Sequence, residues 1–150
     1  MMMITKEEIL NLIQIARNSL VYSYCPYSHF PVACALLCHD DTIYTGCNVE
    51  NAAYFGSICA ERTAIVKAVS SGHRKFRAIA ITSNLMNDIC APCGNCRQFM
   101  VEFGKDLIVI LANHNNDEYK QYTINDLLPH SFGPENLTDY YKLIAKSSSS

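Results

Sequence analysis

Two short segments, Cys59-Ala60-Glu61 and Pro92-Cys93-Gly94-Asn95-Cys96, limit what this chain can fold into. Each opens a stretch with helical periodicity, so the fold must let two helix beginnings meet. Helix N-termini carry partial positive charge and unpaired N–H groups. Both favour thiolate, the form of cysteine that binds metal. The Cys93-x-x-Cys96 spacing lets two sulfurs converge on one ion, and Cys59 supplies a third. Three protein ligands with one open position describe a catalytic zinc, whereas a structural zinc wants a fourth ligand. No obvious fourth ligand lies beside either half. Glu61 stands two residues after Cys59 and can lie near the ion without binding it. There it can take a proton from a water made acidic by zinc, whose pKa falls from about 15.7 to about 7.

Other readings of these cysteines remain open at this point. A lone C-x-x-C fits a thioredoxin-like redox pair, although such a pair explains neither Cys59 nor Glu61. A structural zinc completed by His29, His73, His114 or His130 is a second reading, and a chance arrangement of buried cysteines is a third. Eight cysteines among 150 residues fall below the roughly 8–10% of a disulfide scaffold. The Met-Met-Met-Ile-Thr-Lys start shows no basic region followed by an apolar stretch. A reducing, cytoplasmic setting is therefore expected, with thiols serving metal or catalysis. Cys34, Cys38 and Cys47 lie in strand-like segments and read as small buried hydrophobes.

The remaining pattern alternates between helical and strand periods. Thr5-x-x-Glu8 has capping-box spacing ahead of an apolar stripe at Ile9, Leu12, Ile13, Ala16 and Leu20. Strands are predicted over Val32–Cys38, Thr42–Asn48, Phe76–Thr82, Leu107–Leu111 and Glu118–Tyr122. A hairpin is expected at His39-Asp40-Asp41, with helices over Ala60–Ser71, Gly94–Phe103 and Ile124–Leu128. Asn84–Ala91 reads as a loop. The order α-β-β-α-β-α-β-β-α suggests a mixed sheet with helices on both faces. No repeat or linker divides the chain, so residues 1–150 read as one domain. A peripheral tail follows from about residue 138, and Ser147–Ser150 is low in complexity and expected to be disordered.

Composition narrows the function classes. Hydrophobic residues make up 49% and charged residues 17%, and the net charge is −2. That balance is globular and argues against a broad nucleic-acid-binding surface, which usually carries a basic excess. The longest apolar run, Val32–Cys38, is far short of the roughly 20 residues of a membrane span.

The C-A-E and P-C-x-x-C motifs at this separation resemble the zinc-dependent nucleoside and nucleotide deaminases. The resemblance runs from about residue 20 to 137. It includes Cys25-Pro-Tyr-Ser-His-Phe30-Pro-Val32, Gly46-Cys-Asn48-Val-Glu50-Asn51-Ala, Ile58-Cys-Ala-Glu-Arg-Thr-Ala-Ile65 and Leu127-Leu-Pro-His-Ser-Phe132-Gly-Pro-Glu-Asn-Leu137. Together these segments resemble the small homotetrameric cytidine deaminases. One departure is Ala33-Cys34, where that family commonly has Gly-Ala; modest crowding near the pocket floor is the expected consequence.

The resemblance implies a three-layer α/β/α fold with a mixed five-stranded sheet, and one zinc per subunit on Cys59, Cys93 and Cys96. It implies hydrolysis of cytidine and 2′-deoxycytidine to the uridine forms and ammonia in pyrimidine salvage, with Glu61 as the proton carrier. Asn48 and Glu50 match the ribose-binding pair, whose amide and carboxylate suit sugar hydroxyls. A carboxylate there would also repel phosphate, favouring a free nucleoside over a nucleotide or nucleic acid. Phe30 matches a residue packed on the pyrimidine. The Ala60 N–H would hold the base carbonyl, and the Ala91 carbonyl would accept from the amino group. Arg62 would offset the charge of three thiolates around zinc. Tyr54 and Phe132 match aromatics that enter the sites of neighbouring subunits in a homotetramer. Arg97 reads as structural. A nucleic-acid deaminase and a non-enzymatic zinc module are the competing function classes.

Overall fold

The computed structural model describes residues 4–85 and 88–147. One five-stranded sheet organises them. In chain order the elements are α1 (Lys6–Ser19), β1 (Val32–Cys38), β2 (Ile43–Cys47), α2 (Ala60–Ser70), β3 (Phe76–Ser83), α3 (Gly94–Val101), β4 (Ile108–Ala112), β5 (Tyr119–Thr123), α4 (Ile124–Leu127) and α5 (Pro134–Ser147). The strand order across the sheet is β2-β1-β3-β4-β5. β3 pairs parallel with β4, and the other pairings are antiparallel. The sheet is therefore mixed, as expected.

Side chains alternate across the pleat, and the alternation divides the core in two. Cys34 and Leu36 of β1, Ile79 and Ile81 of β3, and Val109 and Leu111 of β4 face one side. There they meet Ala64, Ile65 and Ala68 of α2 and Cys96, Met100 and Val101 of α3. Ala35 and Leu37, Ala78 and Ala80, and Ile108 and Ile110 face the other side, against Ile9, Leu12, Ile13 and Ala16 of α1. β3 is buried at every position, as a strand covered on both faces should be.

Local rules set the element ends. The Thr5 hydroxyl accepts from the Glu8 N–H, and the Glu8 carboxylate accepts from the Thr5 N–H, closing the expected capping box. Gly72 follows α2 with φ +95°, a conformation that stops a helix at little cost only for glycine. α2 lies so close to β2 that a Cβ at Gly46 would stand 2.2 Å from the Ala60 carbonyl oxygen and 2.6 Å from the Ala64 nitrogen.

The sequence expectations need four corrections. Strand and helix ends differ by a residue or two, because tertiary pairing rather than propensity sets them. Cys47 is only half-buried, with its thiol on the Tyr22 carbonyl at 3.2 Å. Cys34 lies beneath α2, its thiol donating to the Ala60 carbonyl at 3.2 Å, rather than crowding a pocket floor. A fourteen-residue helix, α5, begins at Pro134 and reaches Ser147, where the sequence reading placed no element. Residues 148–150 of the serine run, like residues 86 and 87 of the 84–91 loop, lie outside the described residues. No helix among the described residues is long and apolar enough to cross a membrane.

Candidate active site

α2 and α3 bring their N-termini together over one face of the sheet, with cysteine at both caps. Cys59 is the N-cap of α2 and Cys93 the N-cap of α3, each in extended backbone conformation. Cys96 lies one turn into α3 and is fully buried, Cys59 is half-buried, and Cys93 is exposed. The three sulfurs lie within 4.8 Å of one another, with Cys59 and Cys93 3.8 Å apart. Tetrahedral zinc–sulfur bonds of about 2.3 Å put sulfurs about 3.8 Å apart, so the donor set fits a zinc ion. Among the described residues no histidine or carboxylate joins this group, leaving three ligands and an open position.

The electrostatics agree with that fit. Within the triad Cys96 is the neighbour that acts most strongly on Cys59. With Arg62 and Cys93 it pulls the Cys59 thiol down to about 5, against the opposing effect of its burial. The neighbouring Cys59, together with burial, pushes Cys96 well up. One thiolate therefore forms readily, and a cation must displace the remaining protons. Arg62 Nη2 stands 3.5 Å from Cys59 Sγ and 3.5 Å from the Ser57 carbonyl. Its buried Nε has no hydrogen-bond partner among the described residues. An under-used guanidinium beside the sulfurs suits a site that accumulates thiolate charge.

Glu61, on the first turn of α2, is 4% exposed. Burial pushes its carboxyl above the ordinary range, while its own backbone N–H and the Cys96 thiol pull the other way. The carboxyl is therefore shielded from water, two residues along the chain from Cys59.

A cleft of about 400 Å³ opens from Cys59 and is lined by Tyr27, Asn48, Glu50, Tyr54 and Ile58 among others. That is the size of a small-molecule site. One wall is a short ladder. Val49 and Ile58 exchange backbone hydrogen bonds at 2.9 Å, and the Tyr24 carbonyl accepts from the Glu50 N–H at 2.8 Å. Asn48 accepts from the Val32 N–H at 3.0 Å and donates to the Phe30 carbonyl at 2.8 Å. One Glu50 oxygen accepts from the N–H groups of Tyr27 and Ser28 at 2.9 and 3.2 Å. The Ser28 side chain chiefly, helped by these two N–H groups, holds the Glu50 carboxyl below its ordinary value. Asn48 and Glu50 thus brace the 25–32 loop, a task their sequence reading did not include, and both still face the cleft.

Of the other expected residues, Ala60 is buried at the start of α2 and Phe30 is half-buried in the braced loop. Tyr54 lines this chain's own cleft, 75% exposed, with its ring edge-on to Tyr27 at 5.9 Å. Phe132 is exposed and outside that lining, its carbonyl accepting from Gln98. Tyr27 is a lining residue that the sequence reading missed, although it stands within the quoted Cys-Pro-Tyr segment. Arg97 places its guanidinium on the carbonyls of Pro92 and Leu127.

Comparison with known proteins agrees with this site. Residues 6–112 match the family described as cytidine and deoxycytidylate deaminase zinc-binding region. The chain is 46% identical over 132 residues to a probable cytidine deaminase of Dictyostelium discoideum, covering 88% of each chain. It is 40% identical to a cytidine deaminase of Sporosarcina psychrophila, covering 87% of this chain and 96% of that one. The crystal structure of cytidine deaminase from Burkholderia pseudomallei superposes with a TM-score of 0.78 at 42% identity, over 86% of this chain and all of that one.

Proposed function

The chain belongs to the cytidine and deoxycytidylate deaminases with a zinc-binding region, and from that membership we propose how its own residues turn cytidine into uridine and ammonia. The observation that carries the reading is the three-sulfur cluster at two helix N-termini, with a buried carboxyl beside it and an open cleft in front.

Cys59, Cys93 and Cys96 would hold the zinc. Bound there, zinc lowers the pKa of a water from about 15.7 to about 7, making a nucleophile available at neutral pH. Glu61 accepts the proton that this water gives up and delivers it to N3 of the pyrimidine, which makes C4 electrophilic. Once the hydroxyl has added at C4, Glu61 would take its remaining proton and carry it to the amino nitrogen, so that ammonia leaves and C4 becomes the uridine carbonyl. One water is consumed, one C–N bond breaks, and Glu61 ends as it began. Burial serves this cycle, because desolvation raises the Glu61 carboxyl and so makes its carboxylate a stronger base toward the water's proton, while a dry site keeps bulk water from intercepting that proton on its way to N3. Arg62 offsets the charge of three thiolates. In this reading the Ala60 N–H would hold the base carbonyl, and the Ala91 carbonyl would accept from the amino group. Phe30 packs on the base.

Asn48 and Glu50 would take the sugar hydroxyls. The second Glu50 oxygen serves as the acceptor, since the first is engaged by the loop. A carboxylate at that end of the cleft disfavours a 5′-phosphate and leaves cytidine and 2′-deoxycytidine as substrates. The functional unit in this reading is a homotetramer, in which Tyr54 and Phe132 contribute to neighbouring sites, working in the reducing cytoplasm. The test is to offer cytidine, cytidine 5′-monophosphate and a cytosine-bearing single-stranded oligonucleotide to the zinc-loaded protein. Deamination of the nucleoside with the other two left largely intact is the expected result. Preference for the oligonucleotide would replace this reading with a nucleic-acid deaminase.

A further inference from the structure

α3 folds one of its side chains back onto the segment that leads into it. Arg97 follows the buried ligand Cys96 and is itself half-buried. Its Nε donates to the Pro92 carbonyl at 2.8 Å, and its Nη1 donates to the Leu127 carbonyl at 2.8 Å. Pro92 is buried and immediately precedes Cys93; Leu127 ends α4. The guanidinium therefore spans the peptide that aims Cys93 and a carbonyl fixed at the end of another helix.

Cys93 is the ligand that most needs such a brace. Cys96 is enclosed by the core, whereas Cys93 is exposed. The residue after it, Gly94, has no heavy atom within 4 Å of where a Cβ would stand. The outer side of the Cys93–Gly94 corner is thus open, and Arg97 holds it from the inner side. Charge-assisted bonds to carbonyls are among the stronger hydrogen bonds. The planar fork of arginine bonds two separate carbonyls from a pre-organised geometry, whereas a lysine ammonium is a compact charge on a flexible stem.

We propose that Arg97 is a positioning residue for the metal centre, bracing Cys93 through the Pro92 carbonyl against the Leu127 carbonyl so that the three sulfurs stay gathered. This rests on the zinc-binding reading above. Groups that orient metal ligands without touching the ion typically change metal affinity 10- to 100-fold when removed.

The test measures zinc release from the loaded protein into a chromophoric chelator for the wild type, Arg97→Ala, Arg97→Lys and, as a control, Thr5→Ala. Thr5→Ala weakens a helix cap far from the sulfurs. Release at least about 10-fold faster in Arg97→Ala is expected, with Arg97→Lys recovering part of the loss and Thr5→Ala matching the wild type. In cobalt-substituted protein, the thiolate-to-cobalt absorption bands should shift in Arg97→Ala and stay unchanged in Thr5→Ala. If Arg97→Ala does not fold, Arg97→Lys decides: faster release supports the inference, and wild-type release overturns it. Wild-type release and cobalt spectra in the arginine variants, even with a lower metal-free melting temperature, would mean that Arg97 only stabilises the fold. A wild type that takes up no zinc overturns the functional reading along with this inference. A zinc-loaded, active wild type with unchanged variants overturns this inference alone.

Discussion

Removing the Glu61 carboxyl separates the chemistry from the metal. Glu61 is not among the gathered sulfur ligands, so Glu61→Ala should keep its zinc and lose at least about 10²-fold in turnover, the usual share of a positioned acid–base group. Cys93→Ala should lose zinc as well as activity. Metal analysis beside a rate measurement checks both, and near-normal turnover in a fully zinc-loaded Glu61→Ala would refute the assigned role. At this scale the sequence was most legible where chemistry fixes spacing. Two thiols at C-x-x-C and a carboxyl two residues beyond a third thiol carry their purpose locally. Asn48 and Glu50 were only half legible. Their loop-bracing partners, Val32 and Tyr27, lie 16 and 23 positions away, and nothing local announces such a bond.

Helix α2 owes its position to what is missing beneath it. Gly46→Ala would push a methyl to 2.2 Å from a backbone oxygen, with no flexible side chain to yield. Overpacking of this kind costs about 1–3 kcal/mol. Because the displaced backbone belongs to Ala60, between Cys59 and Glu61, activity should fall with stability. A denaturant melt alongside an assay tests this, and a stable, active Gly46→Ala would contradict the close docking. Thr5→Ala makes the contrast. Losing the α1 cap should cost about 1 kcal/mol, seen as a lower denaturant midpoint, and leave kcat unchanged, since α1 packs on the opposite face of the sheet. Elements with an inward apolar stripe and a cap signal, such as α1 and α2, could be read from the chain. α5 could not be read that way. Leu137, Tyr140, Tyr141 and Ile144 recur at helical spacing after Pro134, but they are 40–63% exposed, so no burial pattern marks them as part of a core.

Across the whole molecule, the metal and the fold are linked. A ligand that binds only the native state stabilises it, by about 4.1 kcal/mol at a thousandfold excess over its dissociation constant. Chelation should therefore lower the melting temperature, and restored zinc should raise it again; equal melting with and without chelator would place the metal outside the folded site. The exposed aromatics Tyr22, Tyr54, Phe55 and Phe132 suit burial between copies, and light scattering should report a mass of four chains. A fully active single chain would contradict the proposed sharing of sites between copies. The strand order β2-β1-β3-β4-β5 was beyond local reading, because pairings such as Val32 with Ser83 join residues far apart in the chain. That order nevertheless lays α2 and α3 side by side and so gathers the sulfurs. The most direct measurement is the ultraviolet spectrum of a cytidine solution after adding the zinc-loaded protein, with and without a chelator. A fall toward the uridine spectrum that chelation slows is the expected result. An unchanged spectrum with folded, zinc-loaded protein would contradict the account.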